Sequence, residues 1–423
     1  MKKWLLGLLV IIALLVLVVP GIVGRQVEQN IEGILKVNAA PGVEIQTERF
    51  ERGWFTSEST HRSRYADAEK AFDVKLPSLI VHTKLAHGPL PGGALPPRLA
   101  SAVSTFQIDP GDGQPFDVPG TLSSNIGLGG ESDGRLILEA GASSLDGAHL
   151  EWQGADMRYS LAGPGRGELE GVIKPWQIKV DDATVSFSTI NIKLDQTRSK
   201  YGFSVGTFDI EMGRMETGAV DAGPPMAIDS LVLTGESSID GNRINAHSTF
   251  GMNNMMVPII GGLSLDVELI LEGADAEALM AIGDTVRAAQ SSANPEAAMN
   301  GLYESIEDDF SVLFNRGFEI RLDKLNLSLP QGMVAASVGL SIPEIDTDAP
   351  FDWSAVLLRM AGKIDMRIPG AVYQMATMLD GQASMLVAMG ILEPDGEDYV
   401  LNAEYAQGLL NVNGSPMPLP MPQ

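Results

Sequence analysis

The chain has 423 residues, 44% of them hydrophobic and 20% charged. That is ample material for a folded core and the wrong composition for a disordered or collagen-like chain. Its 29 Lys and Arg stand against 54 Asp and Glu, a net charge of −25, which excludes a cationic groove tracking a nucleic-acid backbone; the absence of Cys removes disulfides, thiolate nucleophiles, Cys-ligated zinc and iron–sulfur clusters together.

Lys2 and Lys3 precede an uncharged stretch from Trp4 to Gly24, closed by Arg25. At about 1.5 Å rise per residue this stretch reaches across a hydrocarbon core of about 30 Å. With the lysine pair ahead of it and Glu28 and Glu32 beyond, the positive-inside bias keeps the N-terminus cytoplasmic and exports the remainder. Residues 1–24 are therefore expected to be a short stub and a transmembrane signal anchor, the partner of residues 4–24 being the membrane itself. The alternative is a cleaved secretory signal that releases a soluble exported body; the best site for it, Ile22-Val23-Gly24, places a bulky residue where a small one is preferred. Residues 25–41 read as a stalk, with Val27, Ile31, Ile34 and Leu35 near one helical face.

From residue 42 the dominant signal is period two, the spacing at which alternate side chains face a core. Trp176, Ile178 and Val180 alternate, as do Ile190, Ile192 and Leu194; Ile244, Ala246, Ser248 and Phe250; and Leu263, Leu265, Val267, Leu269 and Leu271. Between such runs lie turn chemistries such as Pro110-Gly111-Asp112-Gly113, Asp133-Gly134, Asp146-Gly147, Gly163-Pro164-Gly165 and Asp240-Gly241-Asn242, where Gly, Asn or Asp supplies positive φ. The pattern predicts a mainly β (α+β) fold: an N-terminal transmembrane helix, then a long, twisted antiparallel sheet. The β-rich body covers 42–350, and 351–423 completes it. Two stretches, 274–290 and 295–314, place apolar residues at helical intervals and predict an inserted helix pair within 274–314. Further helices are expected at 354–360 and 371–391, around a strand carrying Ile364, Met366 and Ile368; β structure returns at Tyr399–Tyr405 and 409–412. The prolines from Pro416 onward exclude an interior strand there.

Candidate chemistry is sparse. Gly130-Glu131-Ser132-Asp133-Gly134 fits the outline of a serine nucleophile elbow, but Arg135-Leu136-Ile137-Leu138 after it reads as a strand where an elbow needs a helix. His82 and His87, with Asp73 upstream, lie five apart, which on a strand aims them to opposite faces. His61, His149 and His247 are isolated. Asp109, Asp112, Asp181-Asp182, Glu307-Asp308-Asp309 and Asp395-Glu397-Asp398 supply hard oxygen ligands without calcium-loop spacing. Nothing completes a phosphate-cradling motif. No catalytic, cofactor-binding or metal-ligating residue is assigned, and no cofactor is expected. Methionines gather at Met252, Met255 and Met256 and at Met375, Met378, Met385 and Met389; the reading left open is irregular core packing or the lining of an acyl-chain groove.

The segment Arg49-Phe50-Glu51-Arg52-Gly53-Trp54-Phe55-Thr56-Ser57-Glu58-Ser59 resembles the YdgA-like family of Gram-negative envelope proteins, a domain of unknown function. His87-Gly88-Pro89-Leu90, Tyr405-Ala406-Gln407-Gly408-Leu409 and Asn413-Gly414-Ser415-Pro416-Met417 agree with it in order. The resemblance implies a single-pass inner-membrane protein with a periplasmic body and carries over no catalytic residue. Its motif positions, Gly53, Trp54, Phe55, Ser57, His87, Gly88, Pro89, Tyr405, Gly408, Asn413 and Gly414, read as structural, with Trp54 and Phe55 expected to anchor the sheet's core. The expected function is non-enzymatic, in envelope assembly or maintenance, holding lipid in a curved sheet; the alternative is a scaffold for an envelope protein or a second copy.

Overall fold

The computed structural model describes residues 43–417, apart from 66–76, 89, 92–95, 112–113, 146, 163–164, 182, 220–225, 258–259, 291–301, 346–351 and 380–382. The expected anchor and stalk, the final proline run beyond Met417 and Pro89 lie outside the described residues. Among the described residues no helix is long and apolar enough to cross a membrane. The chain divides into two compact units, Met1–Lys193 and Leu194–Gln423, and the expected antiparallel β architecture with few helices holds in both.

In the first unit β1 (Glu44–Arg52), β2 (Thr56–Arg64), β3 (Ser78–His87), β4 (Ala100–Asp109), β5 (Phe116–Ile126) and β6 (Ser132–Leu138) each pair antiparallel with the next. There follow β7 (Gly141–Leu145), β8 (Ala148–Trp152), β9 (Ala155–Ala162), β10 (Arg166–Ile173), β11 (Trp176–Val180) and β12 (Ala183–Phe187). β6 pairs with β9 and β9 with β10, while β7 pairs with β8, β8 with β11 and β11 with β12. These are the two halves of longer strands, creased at Glu139-Ala140, Gln153-Gly154 and Lys174-Pro175. Pro175 has no N–H to give a ladder, and the crease is bridged instead by Gln153 N–H donating to Pro175 O and Lys174 N–H to Gly154 O, both at 2.9 Å. Trp152 Nε1 donates to Glu139 O at 2.8 Å across the same line.

One expected turn is corrected. Asp133-Gly134 lies inside β6, opposite Tyr159, and a Cβ on Gly134 would come within 2.3 Å of the Tyr159 ring. The glycine there makes room for an aromatic ring, and the connection is the preceding Gly127–Glu131 turn, closed by Gly127 N–H to Glu131 O at 2.8 Å.

β2 buries polar groups on its covered face. His61 is buried, its Nε2 2.9 Å from Ser59 Oγ and its Nδ1 3.1 Å from Thr47 Oγ1. Burial holds its imidazole below the ordinary histidine value, because desolvation penalises the charged form. The unfolded chain, titrating near 6.5, then binds the proton more readily than the folded one. Stability from this group is full above about pH 6.5 and is lost as pH falls from there through the lower folded value. Urea unfolding at pH 7.5 and 5.0 is expected to show a smaller drop for His61→Gln than for the wild type; an unchanged drop would assign the pH dependence elsewhere.

β13 (Ile190–Arg198) carries the chain into the second unit. Its strands are β14 (Ser204–Met212), β15 (Met215–Ala219), β16 (Met226–Ile228), β17 (Ser230–Asp240), β18 (Arg243–Val257) and β19 (Gly261–Asp275). Helices α1 (Ala276–Gln290) and α2 (Leu302–Arg316) intervene before β20 (Phe318–Leu329) and β21 (Gly332–Ile342). α3 (Trp353–Arg359), β22 (Ala361–Pro369), α4 (Gly370–Leu379), α5 (Ala383–Ala388), β23 (Glu393–Asp395), β24 (Asp398–Ala406), β25 (Leu409–Val412) and β26 (Ser415–Met417) complete the chain. Pairing runs antiparallel through β14, β17, β18, β19, β20, β21, β22, β24, β25 and β26. From β17 onward each strand in this order lies beside its neighbour in sequence or the next but one, and Pro416 falls on the last strand.

The expected helix pair is present as α1 and α2, and the expected helix over 371–391 is two, α4 and α5. Residues 380–382, between them, lie outside the described residues. α1 and α2 close one core: Ala274, Ala278 and Leu313 pack with Ile244, Leu271, Leu279, Ile282 and Phe318. A second gathers Ile342, Ile345 and Val356 against Phe314, Phe318, Leu340 and Met360. Asp275 ties β19 to α1, accepting from Glu277 N–H at 3.1 Å, Ala278 N–H at 2.9 Å and Asn242 Nδ2 at 2.9 Å, and pairing with Arg316.

Candidate functional site: an apolar strip across the second unit

Strand register aligns apolar side chains from far-separated parts of the chain. One row runs Ile210, Leu233, Phe250, Val267, Leu325, Ala336, Met366 and Leu401, each paired with the next across eight strands. The row beside it runs Phe208, Gly235, Ser248, Leu269, Leu322, Val338, Ile364 and Ala403. At roughly 4.8 Å between strands the strip is about 34 Å long.

Helices cover the same face on either side of it. Toward one end of the strands α1 packs on Leu271, α2 reaches Phe318, and α3 receives at Leu357 O a 2.9 Å hydrogen bond from the Tyr405 hydroxyl. Toward the other end, Tyr373 of α4 stacks on Tyr399 of β24, ring centres 3.9 Å apart. Between these helices the strip stays open, with Leu233 at 38%, Leu269 at 43% and Val338 at 38% exposed. Ala336 and Ala403 are buried and Gly235 and Ser248 interrupt the second row, so the open apolar surface centres on Leu233, Leu269 and Val338; exposed apolar patches on a protein surface mark places where something binds.

The opposite face is charged. Arg321 is ringed by Glu319, Asp323 and Glu272, and its guanidinium is held above its ordinary value chiefly by the hydrogen bond to Glu319. Lys363 pairs with Asp365 at 2.9 Å, and Arg367 with Asp395 and Asp398 at 2.7 and 2.9 Å. Open depressions of about 450 and 400 Å³ lie among these groups; their charged lining includes Arg321, Lys363 and Arg367, each already paired with carboxylates.

The residues singled out from sequence are placed as follows. Gly53 turns the β1–β2 hairpin, its N–H donating to Thr56 O at 2.7 Å. Trp54 and Phe55, expected in the core, are 59% and 48% exposed, because the turn at Gly53 leaves both at its tip, ahead of the first paired residue of β2. Ser57 and His87 are buried, and Gly88 continues from β3 with φ 100°. Asn413, at φ 49°, accepts from Asn402 N–H at 2.8 Å and donates to Ile391 O at 3.0 Å. Gly408 and Gly414 take φ of 78° and 80° in the flanking turns. Ser132 opens strand β6 opposite Ile126 and Leu161, without the strand-to-helix turn of an elbow. His82 lies 3.1 Å from Thr60 Oγ1 and 3.0 Å from Gln107 Oε1; His149 contacts Ser144 and Glu151, and His247 contacts Glu268. Asp109 pairs with Arg62 at 2.5 Å. Among the described residues no three candidate ligands gather as a metal site. Of the methionines, Met252 and Met366 lie on the strip's face, whereas Met378, Met385 and Met389 are exposed on or beside α4 and α5, Met378 at 85%.

A family model described as a bacterial protein of unknown function, DUF945, matches residues 1–420. The chain belongs to the DUF945 family. No curated protein and no solved structure matches it. In this DUF945 protein the strip was not among the residues that sequence motifs singled out. The signal for it was the alternation of Leu263–Leu271, but bulges between Ile244 and Ala246, Met252 and Met255, Glu268 and Leu269, and Leu322 and Leu325 shift which residues share a face.

Proposed function

We propose that this protein is a non-enzymatic, membrane-anchored envelope protein of the YdgA-like kind, its body periplasmic, that holds acyl chains against the apolar strip. The observation that carries the reading is the open strip itself, flanked by helices on the same face. Alkyl chains lying across the strands would cover Leu233, Leu269 and Val338 at about 25 cal/mol per Å² of apolar surface removed from water. Residues 4–24 would fix the body to the inner membrane. The test is to feed cells a photoreactive fatty acid, irradiate, purify the full chain and map adducts by mass spectrometry. Adducts are expected on strip residues and are expected to fall at least ten-fold in Leu233→Glu/Leu269→Glu. Both positions are already over a third exposed, so the carboxylates stay hydrated and the fold survives. Adducts confined to residues 4–24, or none, overturn the lipid reading.

A second reading, a scaffold that docks another envelope protein, is favoured by the exposed methionines of α4 and α5, since Met suits adaptable binding surfaces. A photocrosslinking residue placed at Met378 or Met385 that captures another envelope protein, with no fatty-acid adduct on the strip, would favour it.

A further inference from the structure

The exposed aromatics of the β1–β2 turn do not stand alone. The β1–β2 turn, the β3–β4 loop, the β5–β6 turn and the β9–β10 turn all lie at one end of the first unit's sheet. Register and loop hydrogen bonds fix this: Thr56 pairs with Ala86, His87 N–H donates to Phe55 O at 2.7 Å, Gly88 N–H to Leu99 O at 2.9 Å and Leu99 N–H to Ile126 O at 2.8 Å, while Ser132 pairs with Leu161. Large apolar side chains are exposed at this end: Trp54 and Phe55, Leu90 at 39% and Leu128 at 59% on the connections, and Leu161 at 47% near the end of β9. Arg52, Arg98 and Arg166 flank them, with Arg98 bonded to Asn125 and Arg166 paired with Glu168 at 3.1 Å, and Glu131 stands on the β5–β6 turn.

We infer that this rim inserts into the surface of a lipid bilayer. Four features favour that occupant. The apolar groups are separate knobs on three connections and one strand end, which suits a fluid that conforms to them better than the complementary surface of a folded protein. The backbone N–H groups of Gly53, His87, Gly88, Leu99, Gly127 and Gly130 are satisfied within the rim, which lowers the cost of bringing these six donors into an apolar medium. Trp prefers the membrane–water interface, and arginines beside it can reach the headgroups. Finally, the stretch 25–42 spans roughly 27 Å if wholly helical and up to about 60 Å if fully extended, against the roughly 30 Å of β1, so an anchor at 4–24 with at least part of this stretch extended allows the rim to face the same membrane.

The inference rests on the membrane-anchored part of the proposed function and not on the strip. Because the chain has no Cys, Leu128→Cys gives a unique attachment point for an environment-sensitive fluorophore, and Lys179→Cys, near the far end of the sheet, gives the reference. The labelled full-length protein is reconstituted into phosphatidylethanolamine–phosphatidylglycerol vesicles containing nitroxide-labelled lipid and separated by flotation. The Leu128→Cys label is expected to shift to the blue and to be quenched at least five-fold more than the reference, and Trp54→Ser/Phe55→Ser is expected to remove most of that difference. Flotation with equal quenching at both sites overturns the rim and leaves the anchor standing. A blue-shifted but unquenched label overturns it in favour of a protein cover, and failure to float overturns the anchored reading together with the rim.

Discussion

Asp275→Ala is expected to lower the melting temperature of the second unit by about 6–12 °C. The Asp275 side chain is fully buried and serves three elements at once: it caps α1 through the N–H groups of Glu277 and Ala278, holds Asn242 of the β17–β18 turn, and neutralises Arg316 at the end of α2. Removing a capping carboxylate costs about 1 kcal/mol. Leaving a buried cation without its partner costs 3–5 kcal/mol in full burial, but Arg316 keeps 36% of its side-chain exposure, which brings that part down to roughly 2. The sum, about 3 kcal/mol, converts at 2–4 °C per kcal/mol for a unit of this size. Calorimetry of the full-length protein checks it, with Asp275→Asn as the separating variant. The amide can still accept from the helix N–H groups but cannot neutralise Arg316, so it should recover about a third of the loss. Recovery of nearly all of it would mean that the ion pair contributes little and that the cap dominates.

The second large effect comes from two glycines with nearly the same backbone. Gly241, in the β17–β18 turn, has φ 65°, and Gly317, between α2 and β20, has φ 69°. Any L residue strains there by roughly 1–2 kcal/mol. Around Gly241 a new Cβ would meet open space, whereas at Gly317 it would fall 2.4 Å from Ile342 O and 2.6 Å from Glu344 N, both backbone atoms. Gly241→Ala is therefore expected to cost about 1 kcal/mol and Gly317→Ala about 3 or more, since β21 must move for the methyl to fit. Equal denaturant midpoints for the two variants would show that the joint between α2 and β21 yields easily.

Much of this architecture was legible in the sequence, for a physical reason: a sheet covered more heavily on one face writes its period-two pattern directly into the chain. The runs at Trp176–Val180, Ile190–Leu194 and Leu263–Leu271 are strands, α1 and α3 stand where helical spacing put them, and α2 (Leu302–Arg316) covers the described part of the stretch expected over 295–314. What failed were local inferences needing a partner strand. Trp54 and Phe55 read as core residues by composition, yet a turn sets their exposure. Asp133-Gly134 has turn chemistry, yet Tyr159 on the neighbouring strand occupies the space a side chain would need. The strip was hidden for the same reason: its residues come from eight strands, and the bulges that reset its phase are properties of pairs.

The order of pairing in the second unit has a kinetic consequence. From β17 to β22 every ladder joins sequence neighbours, so no strand waits for a distant segment before it can dock, and the longest gap to be closed is the one spanned by α1 and α2. Folding rates rise as contacts become more local, and a chain emerging from its N-terminal end could add strands to a growing edge in the order they appear. Such an assembly is close to one-dimensional, each strand answering only to its immediate neighbours. Loss or gain of a whole hairpin would then lengthen or shorten the sheet while leaving the remaining ladders as they are.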